Sequence, residues 1–162
     1  MLSPEQALES FQVAPGFHVE LVASEPQVVD PIAIAWDEKG RLWAVELRAY
    51  MRTVDGDGET DPLGQVVVLE DRDGDGYYEE STVFLDRLVS PRAIAIVEGG
   101  VLVAEPPHLW YCQDLDGDLR SDRRSEVARY GDPNPDVVEH TESGLLRTVD
   151  NWYYNSKSRR RF

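Results

Sequence analysis

The chain has 162 residues, 41% apolar and 29% charged, a length and mix that suit one globular domain burying roughly 68–70% of its unfolded surface. Its 31 acidic against 16 basic residues leave a net charge of −15, a field that repels phosphate backbones and argues against nucleic acid as a partner. No apolar run reaches the roughly 20 residues of a membrane helix, and the opening MLSPEQ shows no basic n-region or apolar h-region of a secretory signal.

In chain order, Ser3, Pro4 and Gln6 form a capping box that predicts a short helix ending near Ser10, stopped by Pro15 and Gly16. FHVELVA from Phe17 alternates as a half-buried strand does. The chain then repeats itself. DPIAIAWDEKGRLWAVE from Asp30 and SPRAIAIVEGGVLVAEP from Ser90 each run from a proline through an apolar strand, turn at glycine and return as a second apolar strand. A third strand follows in each unit, QVVVLED and HLWYCQD, then an Asp-rich turn and a more polar strand, STVFLD and SEVARY.

Asp71 aligns with Asp114 and Gly74 with Gly117, an offset of 43 residues (71 to 114), which is a propeller-sized period. An insertion, residues 47 to 64, separates the second and third strands of the first unit, and a third unit begins near Gly144 with GLLRTVD and NWYYNSK. The expected fold is all-β, a partial β-propeller of about two and a half four-stranded blades with a short N-terminal helix. Its units fall at about 30–86, 90–130 and 144–162 of a single domain spanning 1–162. Two and a half blades cannot close a ring without exposing an edge, so the natural protein is expected to be longer.

DRDGDGYYEE carries the first chemical signal. Asp71, Asp73 and Asp75 sit at alternate positions, and each like-charged pair about 4 Å apart would repel by roughly 4 kcal/mol at an effective dielectric of 20. Either the turn stays open to water or a cation sits among them. The three aspartates take the first, third and fifth places of a calcium loop, Gly76 the sixth, the carbonyl of Tyr77 the seventh and Glu79 the ninth. The twelfth place is Thr82, not the EF-hand glutamate, so a calcium loop between strands is the better fit. The second turn offers Asp114, Asp116, Asp118 and Asp122, with Leu119 where glycine stood, a residue that resists positive φ. The insertion, with Asp55, Asp57 and Asp61 behind Thr53, reads as an acidic loop.

Cys112 is the only cysteine, so no intrachain bridge forms, and its alternating segment predicts a buried small hydrophobe. Trp36, Trp43, Trp110 and Trp152 fall in predicted strands, where core packing outranks a sugar-stacking surface. His18 and His108 suit packing or surface hydrogen bonding. Lys157, Arg159, Arg160 and Arg161 in the last six residues read as a solvated end or as an anion clamp.

Taken in order, LSPEQALESFQVAPGFHVELVASEP, DPIAIAWDEKGRLWAVELRAY, LEDRDGDGYYEESTVF and EHTESGLLRTVDNWYYNSKSRRRF resemble the N-terminal propeller domain of the family described as membrane-bound dehydrogenases. That family is itself similar to the soluble quinoprotein glucose and sorbosone dehydrogenases. The resemblance implies a six-bladed ring, an extracytoplasmic or periplasmic setting, a sugar or related alcohol as substrate, and pyrroloquinoline quinone as cofactor. It also implies that electrons pass to a cytochrome c domain elsewhere, since no C-x-x-C-H for haem is present in this chain. His140, Gly144 and Leu145 fall in the places of the segment whose histidine takes the substrate hydroxyl proton, a task suited to imidazole with its free pKa near 6.5. Arg147, Lys157 and Arg159 are the nearby candidates to clamp the quinone carboxylates, with further clamps expected from later blades. The alternative is a calcium-stabilised propeller that binds or scaffolds without turnover.

Overall fold

In the computed structural model, residues 2–129 and 141–156 are described. Helix α1 spans Pro4–Ser10, and the capping box is formed: Gln6 N donates to Ser3 Oγ at 3.2 Å and Ser3 N to Gln6 Oε1 at 2.9 Å.

Two four-stranded antiparallel sheets follow, each with its strands in chain order. The first comprises β1 (Pro31–Trp36), β2 (Leu42–Glu46), β3 (Gly64–Glu70) and β4 (Glu80–Leu88). The second comprises β5 (Ala93–Val97), β6 (Gly100–Glu105), β7 (His108–Gln113) and β8 (Arg123–Arg129). Beyond them, β9 (Leu146–Arg147) and β10 (Tyr153–Tyr154) pair as a two-stranded ribbon. The fold is all-β, propeller-like and open, and the first sheet runs two residues past the expected end of its unit at 86.

Strand alternation explains the layering. On β2 and β3 both faces are apolar, so both must be covered. Trp43, Val45, Val66, Val68, Phe84 and Leu88 of the first sheet meet Ile94, Val101, Val103 and Cys112 of the second in one core. The far face of the second sheet, with Ala93, Ala95, Leu102, Ala104 and Leu109, packs against Leu145 and Tyr153 of the third unit. The far face of the first sheet, with Leu42, Ala44, Val67 and Leu69, is capped by Ala23 and Val28 of the N-terminal segment. Cys112 is fully buried, and burial pushes its thiol up to about 11.

Three expectations need correction. Residues 17–23 form no strand, although they alternate; a strand needs a neighbour to take its backbone groups, and among the described residues none pairs with this segment. Trp36 is 55% exposed rather than packed, while Trp43 is 4% exposed. Trp152 precedes β10 and is also exposed.

Candidate metal centres at two repeated acidic turns

The β3–β4 and β7–β8 connections fold alike because each leading aspartate closes the turn on itself. Asp71 accepts from Gly74 N at 2.7 Å and Gly76 N at 2.9 Å. Asp114 accepts from Gly117 N at 2.6 Å and Leu119 N at 2.9 Å. The next aspartates repeat the pattern. Asp73 takes Asp75 N and Asp116 takes Asp118 N, both at 3.2 Å, and Asp75 and Asp118 take the amides of Tyr77 and Arg120 at 2.8 and 2.9 Å. At the far end of each turn, Glu79 accepts from Arg72 N at 2.9 Å and Asp122 from Leu115 N at 2.7 Å.

Folding in this way gathers the carboxylates. Oxygens of Asp71, Asp73 and Glu79 lie within 4.8 Å of one another, and so do those of Asp114, Asp116 and Asp118. Asp75 and Asp122 are left out of the two gathered sets and serve the turns as amide acceptors. Tyr77 turns its hydroxyl to Ser24 Oγ at 3.1 Å, tying the first turn to the N-terminal segment. The insertion gathers no comparable set among the described residues; there Thr53 Oγ1 accepts from Asp57 N at 3.0 Å.

The donor set suits a hard cation. Each carboxylate oxygen that accepts one amide keeps a second lone pair, and all-oxygen sets are what calcium takes. Slight burial pushes the Asp114 carboxyl up, but the amides of Gly117, Leu119, Asp116 and Asp118 outweigh it and hold its pKa below the ordinary value. The anionic form is therefore the one the turn is built around.

Both turns thus occur at corresponding corners of two sheets made from one repeated sequence, a chain-wide pattern rather than a local motif. A family model described as a domain of unknown function (DUF7133) matches residues 3–161. The chain belongs to this family. No curated protein matches it.

Sequence reasoning missed a second repeated device. Glu46 at the end of β2 and Glu105 at the end of β6 are buried acids. Glu46 accepts from Val29 N at 2.8 Å and Gln65 Nε2 at 2.7 Å. The Arg48 guanidinium lies 2.8 Å from it without hydrogen-bond alignment. Glu105 accepts from Val89 N at 2.6 Å and Trp110 Nε1 at 2.7 Å and pairs with Arg124. Each fixes the backbone just before the first strand of its sheet. The signal was present, since AVE and VAE close equivalent strands in the two repeats.

His140, Lys157 and Arg159 lie outside the described residues. Arg147, on β9, donates to Asn151 Oδ1 at 3.0 Å and lines a hollow together with Glu38, Glu98 and Tyr153. His18 pairs with Glu20 at 2.8 Å on the surface, and His108 meets Glu126 at 2.7 Å while stacking on Trp110; both make the ordinary contacts expected of them. No described helix is long and apolar enough to cross a membrane.

Proposed function

We propose that this chain is a portion of a longer β-propeller whose blades are fastened at their corners by calcium, and that it serves as a binding or scaffold module. One observation carries the reading: two turns 43 residues apart (71 to 114) adopt one hydrogen-bonding pattern and each draws three carboxylates together. Asp71, Asp73 and Glu79 would hold one ion and Asp114, Asp116 and Asp118 another. A bound cation relieves the mutual repulsion of the acids and stabilises the folded form by mass action. Thermal melts with calcium and with EDTA test this. Chelation lowers the melting temperature, and Asp73→Ala together with Asp116→Ala abolishes the difference; coincident melts of the unaltered chain would end the calcium reading.

A second reading rests on the resemblance of His140, Gly144 and Leu145 to the quinoprotein sugar dehydrogenase segment in which a histidine precedes a glycine-containing strand. There His140 would accept the proton of a sugar or alcohol hydroxyl, and pyrroloquinoline quinone would supply the oxidising power. The quinone's cationic clamps would come from Lys157, Arg159 and further blades as well as Arg147, and a cytochrome c domain would accept electrons. Dye reduction by the full-length polypeptide with the quinone and a panel of sugars, lost in His140→Ala, is the expected result. No reduction in the unaltered protein discards this reading without touching the calcium claim.

A further inference from the structure

The segment that leads into the first sheet shares several contacts with the segment that leads from the first sheet into the second, with two more residues between them. Between the sheets, Phe84 O on β4 accepts from Ser121 N of the second acidic turn at 2.9 Å. Val89 N then donates to the buried Glu105, Ser90 takes a positive φ of 50°, and Pro91 follows. Ahead of the first sheet, Val22 O accepts from Tyr78 N of the first acidic turn at 2.7 Å. Val29 N donates to the buried Glu46, Asp30 takes a positive φ of 46°, and Pro31 follows. Tyr78 and Ser121 are equivalent turn positions, so Val22 stands where Phe84 stands. Residues 17–23 therefore occupy the place of an outermost fourth strand, yet no first, second or third strand accompanies them among the described residues.

The open face beside them has a matching asymmetry. Where the sheets meet, β1 contributes Ala33 and Ala35, and β5 contributes the larger Ile94 and Ile96. Each sheet thus presents alanines forward and bulky residues backward from its first strand. The backward residues of β1, Ile34 and Trp36, are 52% and 55% exposed, whereas Ile94 in the second sheet is 7% exposed.

We infer that residues 17–23 are the detached outer strand of a composite blade, completed by a three-stranded sheet that the same polypeptide supplies beyond residue 162. That sheet pairs its third strand with 17–23 and lays an alanine-bearing first strand against Ile34 and Trp36. Strand addition of this kind satisfies an unpaired backbone and covers an apolar face in one step. The inference rests on the longer-propeller reading above, and it specifies where and how the ring shuts.

Hydrogen–deuterium exchange on the 162-residue chain and on the full-length polypeptide tests it. The expected result is that every second amide between His18 and Ala23 exchanges at least about 100-fold more slowly in the longer protein, as paired strands do. If the longer protein protects additional sheets while 17–23 exchange equally fast in both, the closure is wrong and the propeller reading stands. If the longer reading frame encodes no further strands, or none is protected, both are overturned.

Discussion

At equivalent places the first acidic turn has Gly76 with φ of 93° and the second has Leu119 with φ of 65°. The left-handed region costs a non-glycine residue about 1–2 kcal/mol, yet the carboxylate-to-amide pattern is the same in both turns. The difference lies in what surrounds the side chain. A Cβ at Gly76 would meet nothing within 4 Å, so the first turn gains nothing from a larger residue. Leu119 packs against the core between the sheets, lining a hollow with Trp43 and Phe84. One turn keeps its shape through backbone freedom and the other through burial, and the second is consequently coupled to the neighbouring sheet.

Substitutions at the two buried acids test how far the equivalence extends. Glu105→Ala strands the Val89 amide, the Trp110 indole and Arg124, and should cost about 3–4 kcal/mol in urea unfolding. Glu46→Ala loses two hydrogen bonds and an ion pair to Arg48 that lacks hydrogen-bond alignment, and should cost about 2–3 kcal/mol. Equal losses would mean that Arg124 adds nothing to the second junction.

Exchanging the sixth turn residues sharpens the contrast. Gly76→Leu should destabilise by about 1–2 kcal/mol, through backbone strain with no compensating contact. Leu119→Gly relieves the strain but opens the core edge, for a net loss of about 1 kcal/mol in the same measurement. A more stable Leu119→Gly protein would show that burial does not offset the strain.

The smallest effect is expected from pH. Burial pushes Asp37 up, but bonds from Trp43, Arg41 and the amides of Arg41 and Lys39 outweigh it and lower its pKa. A lowered carboxylate contributes fully above its unfolded value, near 3.9, and that contribution fades as pH falls through the folded value. The second sheet has Val97 in its place. Asp37→Asn should therefore reduce the acid sensitivity of the melting temperature below about pH 4, with little change in its slope near neutrality.

Much of the architecture was legible because it depends on side-chain alternation and turn residues close in sequence. The hairpin at Gly99 pairs Val97 with Gly100, and both Asp-rich turns fall between the strands expected to flank them. Residues 17–23 were misread because alternation reports which side chains favour a surface, not whether a partner strand exists. Trp36 was misread for the same reason: its burial depends on a neighbouring sheet and not on β1. Within the candidate centres, the spacing identified the aspartates but could not separate Asp73, which joins a gathered set, from Asp75, which turns to the Tyr77 amide. The roles of Glu46 and Glu105 rest on contacts with residues 17 and 16 positions away, beyond the reach of local patterns.

Those two acids grip the incoming chain through an N–H that nineteen of the twenty amino acids carry. The joint is thus indifferent to which side chain passes through it, proline excepted. A module seated in this way can be duplicated, lengthened or exchanged without redesigning its hinge point, and the selective burden falls on the acid alone.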